Sequence, residues 1–80
     1  MASQRPSPLR TKRLLRGLRL RDLERATEIP ETTLSRLERG ESPLVGHWLT
    51  SLAAFYEVEP RILREEMAAF LDRLGPEHVV

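Results

Sequence analysis

Leucine and other apolar residues recur along the chain at intervals of three and four positions, with charged residues between them. This spacing is typical of amphipathic α-helices, whereas no alternating apolar and polar run of four or more residues indicates a strand. The pattern predicts five short helices, which cover residues 8–17, 19–27, 31–39, 47–56 and 60–74. Five short helices joined by short loops indicate an all-α bundle.

Residues that favour the start or the end of a helix mark the boundaries. Ser7 followed by Pro8 is typical of an N-cap and a first helical position. Gly17 and Gly40 are typical of the residue that ends a helix. Between them, Pro30 pushes its predecessor out of the helical region. The stretch between the two glycines therefore holds two short helices separated by one tight turn.

Length and composition restrict the class of protein. With 80 residues and a mass of 9.2 kDa, the chain allows one domain with one core. The chain has no cysteines. This excludes disulfides, Cys-ligated zinc and thiol nucleophiles. No apolar run approaches the roughly 20 residues of a membrane span, and the first ten residues lack the apolar stretch of a signal peptide. We therefore expect a cytoplasmic protein with no membrane partner.

The net charge is +1, but the charged residues are unevenly distributed along the chain. Residues 1–40 carry ten lysines and arginines against five acids, whereas residues 41–80 carry three arginines against seven acids. A basic half joined to an acidic half suggests one surface that faces a polyanion and another that is kept away from it. The alternative is two ordinary solvated faces, and charge by itself does not separate these interpretations.

The residue pattern does not indicate an enzyme. The two histidines, His47 and His78, lie far apart in the sequence with no acid or nucleophile at a useful spacing. Glu65 and Glu66 are adjacent on a helix and point in different directions. The sequence has no glycine-rich phosphate loop and no metal-ligand spacing. We therefore expect a protein that is not an enzyme and that uses no cofactor or metal.

The stretch from Gly17 to Gly40 has the layout of a helix-turn-helix: two short helices, a tight connection, and a small shared set of apolar residues. The polar face of the second helix carries one carboxylate, two short hydroxyls and two arginines, namely Glu31, Thr32, Ser35, Arg36 and Arg39. Such side chains suit a DNA major groove, where arginine binds guanine and threonine bonds base edges or touches a thymine methyl. The alternative is a solvated helix whose Glu31 complements the N-terminal dipole.

Residues 9–63 resemble the Cro and phage-repressor type of helix-turn-helix domain, often called Xre-like, which has a lambda-repressor-like five-helix bundle. The resembling residues are Leu18, Leu23, TTLSRLERG at 32–40, Pro43 and LTSLAAFYEVEPRIL at 49–63. The resemblance covers about two-thirds of the chain and implies double-stranded DNA as the partner.

The resemblance also implies roles for individual residues. Base contacts are implied for Glu31, Thr32, Thr33 and Arg36. Phosphate contacts are implied for Arg13, Arg19, Arg39, and the backbone amides of Gly46 and His47. Arg13 and Glu38 match a structural pair that joins the first helix to the third. Phosphate contacts fix the register on DNA, and the base contacts specify the sequence.

Three positions depart from the pattern of this family. Leu20 stands where a phosphate-binding glutamine is usual, Glu24 stands where a small residue is usual, and Glu28 stands where glycine is frequent. Arg19 or Arg21 is a possible replacement for the lost phosphate contact. A carboxylate at Glu31 repels phosphate unless it accepts a hydrogen bond from a cytosine amino group.

The fifth predicted helix carries an apolar stripe at steps of three and four residues. We expect Ile62 and Leu63 to cover the bundle. The residues further along are expected to form a homodimer interface, namely Met67, Phe70, Leu71 and Leu74. Contact with a different protein and packing on the same chain are the alternatives.

These observations divide the chain into a flexible tail (residues 1–6), a helix-turn-helix DNA-binding domain (7–60), and a C-terminal helix and tail for dimerisation (61–80). They favour a transcriptional regulator that represses by binding a palindromic operator as a homodimer. The alternative is a protein-interaction module, or an antitoxin-like partner-binding protein, that retains the helix-turn-helix fold.

Overall fold

The computed structural model describes residues 6–74, without the side chain of Leu74. It contains five helices, α1 to α5, which span Pro8–Leu15, Leu20–Thr27, Glu31–Arg39, Gly46–Tyr56 and Pro60–Leu74. No strand occurs between residues 6 and 74, so the all-α prediction is confirmed. Most of the predicted tail, together with the region around His78, lies outside the described residues.

The helix ends follow the local signals closely. The Ser7 hydroxyl accepts a hydrogen bond from the Arg10 amide at 3.2 Å, and Pro8 occupies the first helical position of α1. This helix ends at Leu15, two residues before the predicted end, and Gly17 follows in the left-handed conformation with φ of 66°. The bounds of α3 and α5 match the prediction, and Gly40 ends α3 with φ of 76°.

One apolar core joins all five helices. The helices pack in the pairs α2–α3, α1–α3, α2–α4, α1–α5 and α4–α5. The buried apolar residues are Leu9, Leu23, Ile29, Leu34, Leu37, Leu44, Leu52, Ala53, Tyr56, Leu63 and Met67. A Lys12–Glu66 ion pair at 3.3 Å adds a polar contact between α1 and α5. No helix within residues 6–74 is long and apolar enough to cross a membrane.

The packing of α5 differs from the expectation at two residues. Met67, expected at a homodimer interface, is only 4% exposed and belongs to the core of its own chain. Ile62, expected to cover the bundle, is 42% exposed. The reason is helix geometry: residues four apart share a face, so Met67 follows the fully buried Leu63 into the core, while Ile62 lies a quarter-turn away.

The end of α5 lies against the end of α3. A Cβ atom placed on Gly40 would collide with the side chain of Leu71 and touch the ring of Phe70. The left-handed backbone favours glycine at position 40, whereas the end of the Leu71 side chain can move away from an added Cβ atom. Phe70 is partly buried against the core, whereas Leu71 is 38% exposed.

Tyr56 ends α4 with its ring in the core and its hydroxyl unpaired. The residue is 3% exposed, and its hydroxyl has no hydrogen-bond partner among residues 6–74. Arg16 lies over the ring, with its guanidinium carbon 5.0 Å from the ring centroid. Burial, together with the nearby Glu38 carboxylate, raises the pKa of Tyr56 to about 12. The neutral phenol is therefore part of the folded state.

We expect Tyr56→Phe to raise the free energy of unfolding by up to about 1 kcal/mol at neutral pH, because it removes an unsatisfied buried hydroxyl. A folded-state pKa above the ordinary value of 10 gives stability that is present below pH 10 and is lost as the pH rises toward 12. Urea unfolding at several pH values would measure both effects. Tyr56→Phe should lack the alkaline loss, and an equal loss in both proteins would contradict this assignment.

Candidate nucleic-acid interface

The α2–α3 unit is held by a turn of three residues, Glu28, Ile29 and Pro30. Ile29 is fully buried and anchors the turn in the core. Glu28 adopts the left-handed conformation with φ of 64°, which reverses the chain after α2. The Thr27 hydroxyl donates to the Leu23 carbonyl at 2.8 Å and accepts from the Ile29 amide at 3.3 Å. The two helices are therefore fixed relative to each other.

The polar face of α3 points away from the core. Leu34 and Leu37 are buried on the inner side of the helix. The residues expected to contact bases lie on the other side: Glu31, Thr32 and Arg36 are exposed, and Thr33 is partly buried. The structure thus brings three exposed members of this set onto one helix surface and places Thr33 at its edge.

Arg13 and Glu38 form a nearly buried, two-point ion pair between α1 and α3. Arg13 Nε and Nη2 donate to the two Glu38 carboxylate oxygens at 2.6 and 3.0 Å, and Nη1 donates to the Leu18 carbonyl at 3.0 Å. The side chains are 11% and 7% exposed. Hydrogen bonding to the Glu38 carboxylate raises the pKa of Arg13. All three guanidinium nitrogens of Arg13 donate hydrogen bonds inside the protein, and the phosphate contact implied for Arg13 stays a prediction.

Arg39, at the end of α3, makes a second but exposed ion pair. Its Nε and Nη2 donate to the carboxylate oxygens of Glu41 at 2.9 and 3.0 Å, and its Nη1 donates to the Ser35 hydroxyl at 2.8 Å. Hydrogen bonding to Glu41 raises the pKa of Arg39. The sequence did not reveal this contact, because the reversal at Gly40 brings Glu41 back toward the helix.

The start of α3 is capped from α2. Pro30, the N-cap residue, provides no side-chain hydrogen bond. The Glu24 carboxylate instead accepts a hydrogen bond from the Glu31 amide at 3.3 Å. A residue that departs from the family pattern thus satisfies one free amide at the helix start. The sequence does not reveal this role, because the two partners are seven positions apart.

The cleft between α2 and α3 is lined by both acidic and basic side chains, namely Arg21, Glu24, Arg25, Glu28 and Glu31. Three carboxylates close to the start of α3 lower the positive potential there, although the helix dipole favours an anion at this end. The two arginines partly offset them. This end of the interface is therefore the less favourable one for phosphate.

The other expected phosphate contacts lie at the surface. Arg19 is the exposed N-cap residue of α2, and its amide donates to the Asp22 carboxylate at 2.9 Å. Gly46 and His47 are exposed at the start of α4. The Nδ1 of His47 lies 3.4 Å from the Ser51 hydroxyl. The first amides of a helix have no partner within that helix, so they remain available to an anion.

The profile of the helix-turn-helix domain matches residues 8–67, three-quarters of the chain. The chain belongs to the helix-turn-helix domain family. This agrees with the resemblance seen in the sequence, and the match extends into α5 as far as Met67. No curated protein and no solved structure gave a significant match.

Helix-turn-helix domains place the second helix of the motif in the DNA major groove, and in this domain that helix is α3. Membership therefore supports a DNA-binding regulator in general terms. Such domains are typically not enzymes. Within residues 6–74, no group of three or more His, Cys, Asp or Glu side chains is arranged to hold a metal ion.

Glu28 and Glu57 offer a matched test of backbone strain in this helix-turn-helix domain. Both are non-glycine residues in the left-handed region, with φ of 64° and 59°. We expect Glu28→Gly and Glu57→Gly each to raise the free energy of unfolding by up to about 1 kcal/mol, because glycine removes the Cβ penalty. Thermal unfolding of both variants would measure this, and a loss of stability in both would contradict it.

DNA affinity of the same two variants tests whether the Glu28 carboxylate itself opposes DNA binding. Only Glu28 lines the cleft beside α3, so only Glu28→Gly should strengthen binding to a DNA duplex. Equal affinity changes in the two variants would contradict a specific effect of the Glu28 carboxylate beside α3.

Proposed function

We propose that this protein is a transcriptional repressor that binds a palindromic operator as a homodimer, with α3 inserted into the major groove. The observation that carries the proposal is the exposed polar face of α3 on a rigid α2–α3 unit. Glu31, Thr32 and Arg36 are the exposed members of the base-contacting set. Arg36 suits guanine, Thr32 suits a base edge or a thymine methyl, and Glu31 suits a cytosine amino group.

The dimensions of α3 support this role. An α-helix with its side chains is about 10–12 Å across, which fits the about 12 Å width of the major groove. The Arg13–Glu38 pair fixes α3 to α1 near its C-terminal end, and Glu24 contacts its N-terminal end. A helix fixed at both ends presents its side chains with little reorganisation on binding.

Phosphate contacts are proposed on both sides of α3. Arg19 lies before α2 and Arg39 ends α3, and both are exposed. The amides of Gly46 and His47 provide an uncharged contact at the start of α4. These contacts fix the position of the protein on the duplex without reading the sequence.

The homodimer is proposed to form through the outer end of α5. Leu71 is exposed there, and Phe70 lies partly buried beside it. Leu74 stays a sequence prediction, because its side chain lies outside the described part of the chain. A two-fold arrangement would present two copies of α3 to successive major grooves about 34 Å apart. Repression then follows where the operator overlaps a promoter.

Selection of bound sequences from a random duplex library, at near-physiological salt, tests the proposal. Enrichment of an inverted repeat with half-sites about one helical turn apart is expected. Sedimentation of the free protein would test the dimer separately. Leu71→Asp should lower the dimer fraction. Ile62→Asp is the matched control, because Ile62 is also exposed but lies on the side of α5 opposite to Leu71. No enriched sequence from a folded protein would refute specific DNA binding.

A protein-interaction module, including an antitoxin-like one, is the second candidate. The carboxylates of Glu24, Glu28 and Glu31 beside the start of α3 favour it, because they oppose a phosphate backbone. Salt dependence distinguishes the candidates. DNA binding through phosphates weakens steeply with salt, by about 0.9 log units per contact for each tenfold change.

A further inference from the structure

Each of the three guanidinium nitrogens of Arg39 donates a hydrogen bond within the protein. Glu41 accepts hydrogen bonds from two of its nitrogens, and Ser35 accepts from the third. Two carboxylate oxygens on a guanidinium present the same two-point acceptor pattern as two oxygens of a phosphate. Arg39 therefore cannot offer its Nε–Nη2 edge to a phosphate while Glu41 holds that edge.

We propose that Glu41 competes with DNA phosphate for Arg39 and thereby sets the strength of the phosphate contact at the end of α3. The inference rests on the proposed function, since it concerns how the same DNA-binding surface is regulated. Glu41 is a positioning residue in this scheme. It acts through Arg39 and does not itself contact DNA.

Solvent exposure allows the exchange to occur. The side chains of Arg39 and Glu41 are 55% and 47% exposed, whereas those of Arg13 and Glu38 are 11% and 7% exposed. Exposed ion pairs contribute little net free energy, so an incoming phosphate can replace the carboxylate. Breaking the nearly buried Arg13–Glu38 pair would cost far more free energy, because it would leave a buried charge without its partner. Of Arg13 and Arg39, only Arg39 can therefore exchange its carboxylate partner for a phosphate.

The local backbone keeps the competitor in place. Gly40 turns the chain in the left-handed conformation, and the Glu41 amide donates to the Arg36 carbonyl at 2.8 Å. The Glu41 carboxylate is therefore held beside Arg39, which lies two residues earlier in the chain, at the end of α3. After exchange, the Ser35 hydroxyl can still accept from Nη1 and keep the guanidinium on the DNA-facing side.

Glu41→Gln is expected to strengthen binding to duplex DNA by about threefold to fivefold. The amide of glutamine has a single acceptor oxygen and no charge, so Arg39 becomes free for phosphate. The plot of log affinity against log salt should steepen by up to about 0.9, the value of one further phosphate contact.

The test measures fluorescence anisotropy with a labelled random-sequence duplex of about 20 base pairs, between about 50 and 200 mM salt. It compares the wild type with Glu41→Gln, Arg39→Gln and the double variant. Glu65→Gln is the control, because it removes an exposed carboxylate on α5. We expect a gain in Glu41→Gln only, with no gain when the same change is made in the Arg39→Gln background.

Three results would overturn the inference. A gain of equal size in the Arg39→Gln background would mean that Glu41 acts by general repulsion of DNA. No gain in Glu41→Gln, while the wild type binds, would overturn this inference and leave the proposed function standing. No salt-dependent binding by any variant would overturn both.

Discussion

Glu38→Gln is expected to lower the free energy of unfolding by about 3 kcal/mol, the low end of the cost of breaking a buried ion pair. The change leaves the Arg13 guanidinium with a neutral amide in place of a two-point carboxylate partner, at a position that is only 11% exposed. Because the pair joins α1 to α3, DNA affinity should fall together with stability. Urea unfolding followed by circular dichroism measures the first effect.

Two controls make this prediction specific. Glu41→Gln breaks the exposed pair with Arg39 and should leave the unfolding free energy almost unchanged. Replacing both Arg13 and Glu38 by methionine should recover much of the stability, since a pair of apolar residues leaves no unpaired buried charge. If Glu38→Gln is no more destabilising than Glu41→Gln, the Arg13–Glu38 pair does not hold α3.

Arg36→Ala is expected to cost roughly 1 to 3 kcal/mol of discrimination at one base position, about 5-fold to 150-fold in affinity for the selected operator. Arg36 is exposed near the middle of the outer face of α3. Its loss should therefore relax the preference at that position while leaving affinity for random-sequence DNA less affected. Selection from a duplex library, repeated with the variant, measures the change.

Arg39→Ala, which removes a proposed phosphate contact, is expected to differ from Arg36→Ala, which removes a proposed base contact. A phosphate contact carries no sequence information, so its loss should weaken binding to all sequences alike and make the salt dependence shallower. Arg64→Ala on α5 serves as the charge control, because it removes an exposed arginine away from α3. An unchanged base preference in Arg36→Ala would contradict the assignment of Arg36 as a base-contacting residue.

Local signals in the sequence were sufficient to predict the helices. Ser7 and Pro8 start α1, Pro30 separates α2 from α3, and Gly40 ends α3 as expected. These signals work because caps and turns depend on residues within a few positions of each other. The prediction that Gly17 ends the first helix was two residues late, since α1 stops at Leu15 and the left-handed glycine follows its C-cap.

The sequence also predicted which face of α3 is polar, because residues three and four apart share a helix face. The resemblance added the pairing of Arg13 with Glu38, and the structure brings these residues together. Spacing along the chain could not have predicted that contact, because 25 residues separate the partners.

Tertiary structure alone decided how far each charged or apolar side chain is free to act. It buried Met67 and exposed Ile62, because the depth of α5 in the bundle depends on its packing against α1 and α4. It also brought Glu24 to the start of α3 and Glu41 to Arg39. The sequence by itself determined the helices and their polar faces through local interactions. Partner choice and burial depend on distances between elements, and only packing fixes those distances.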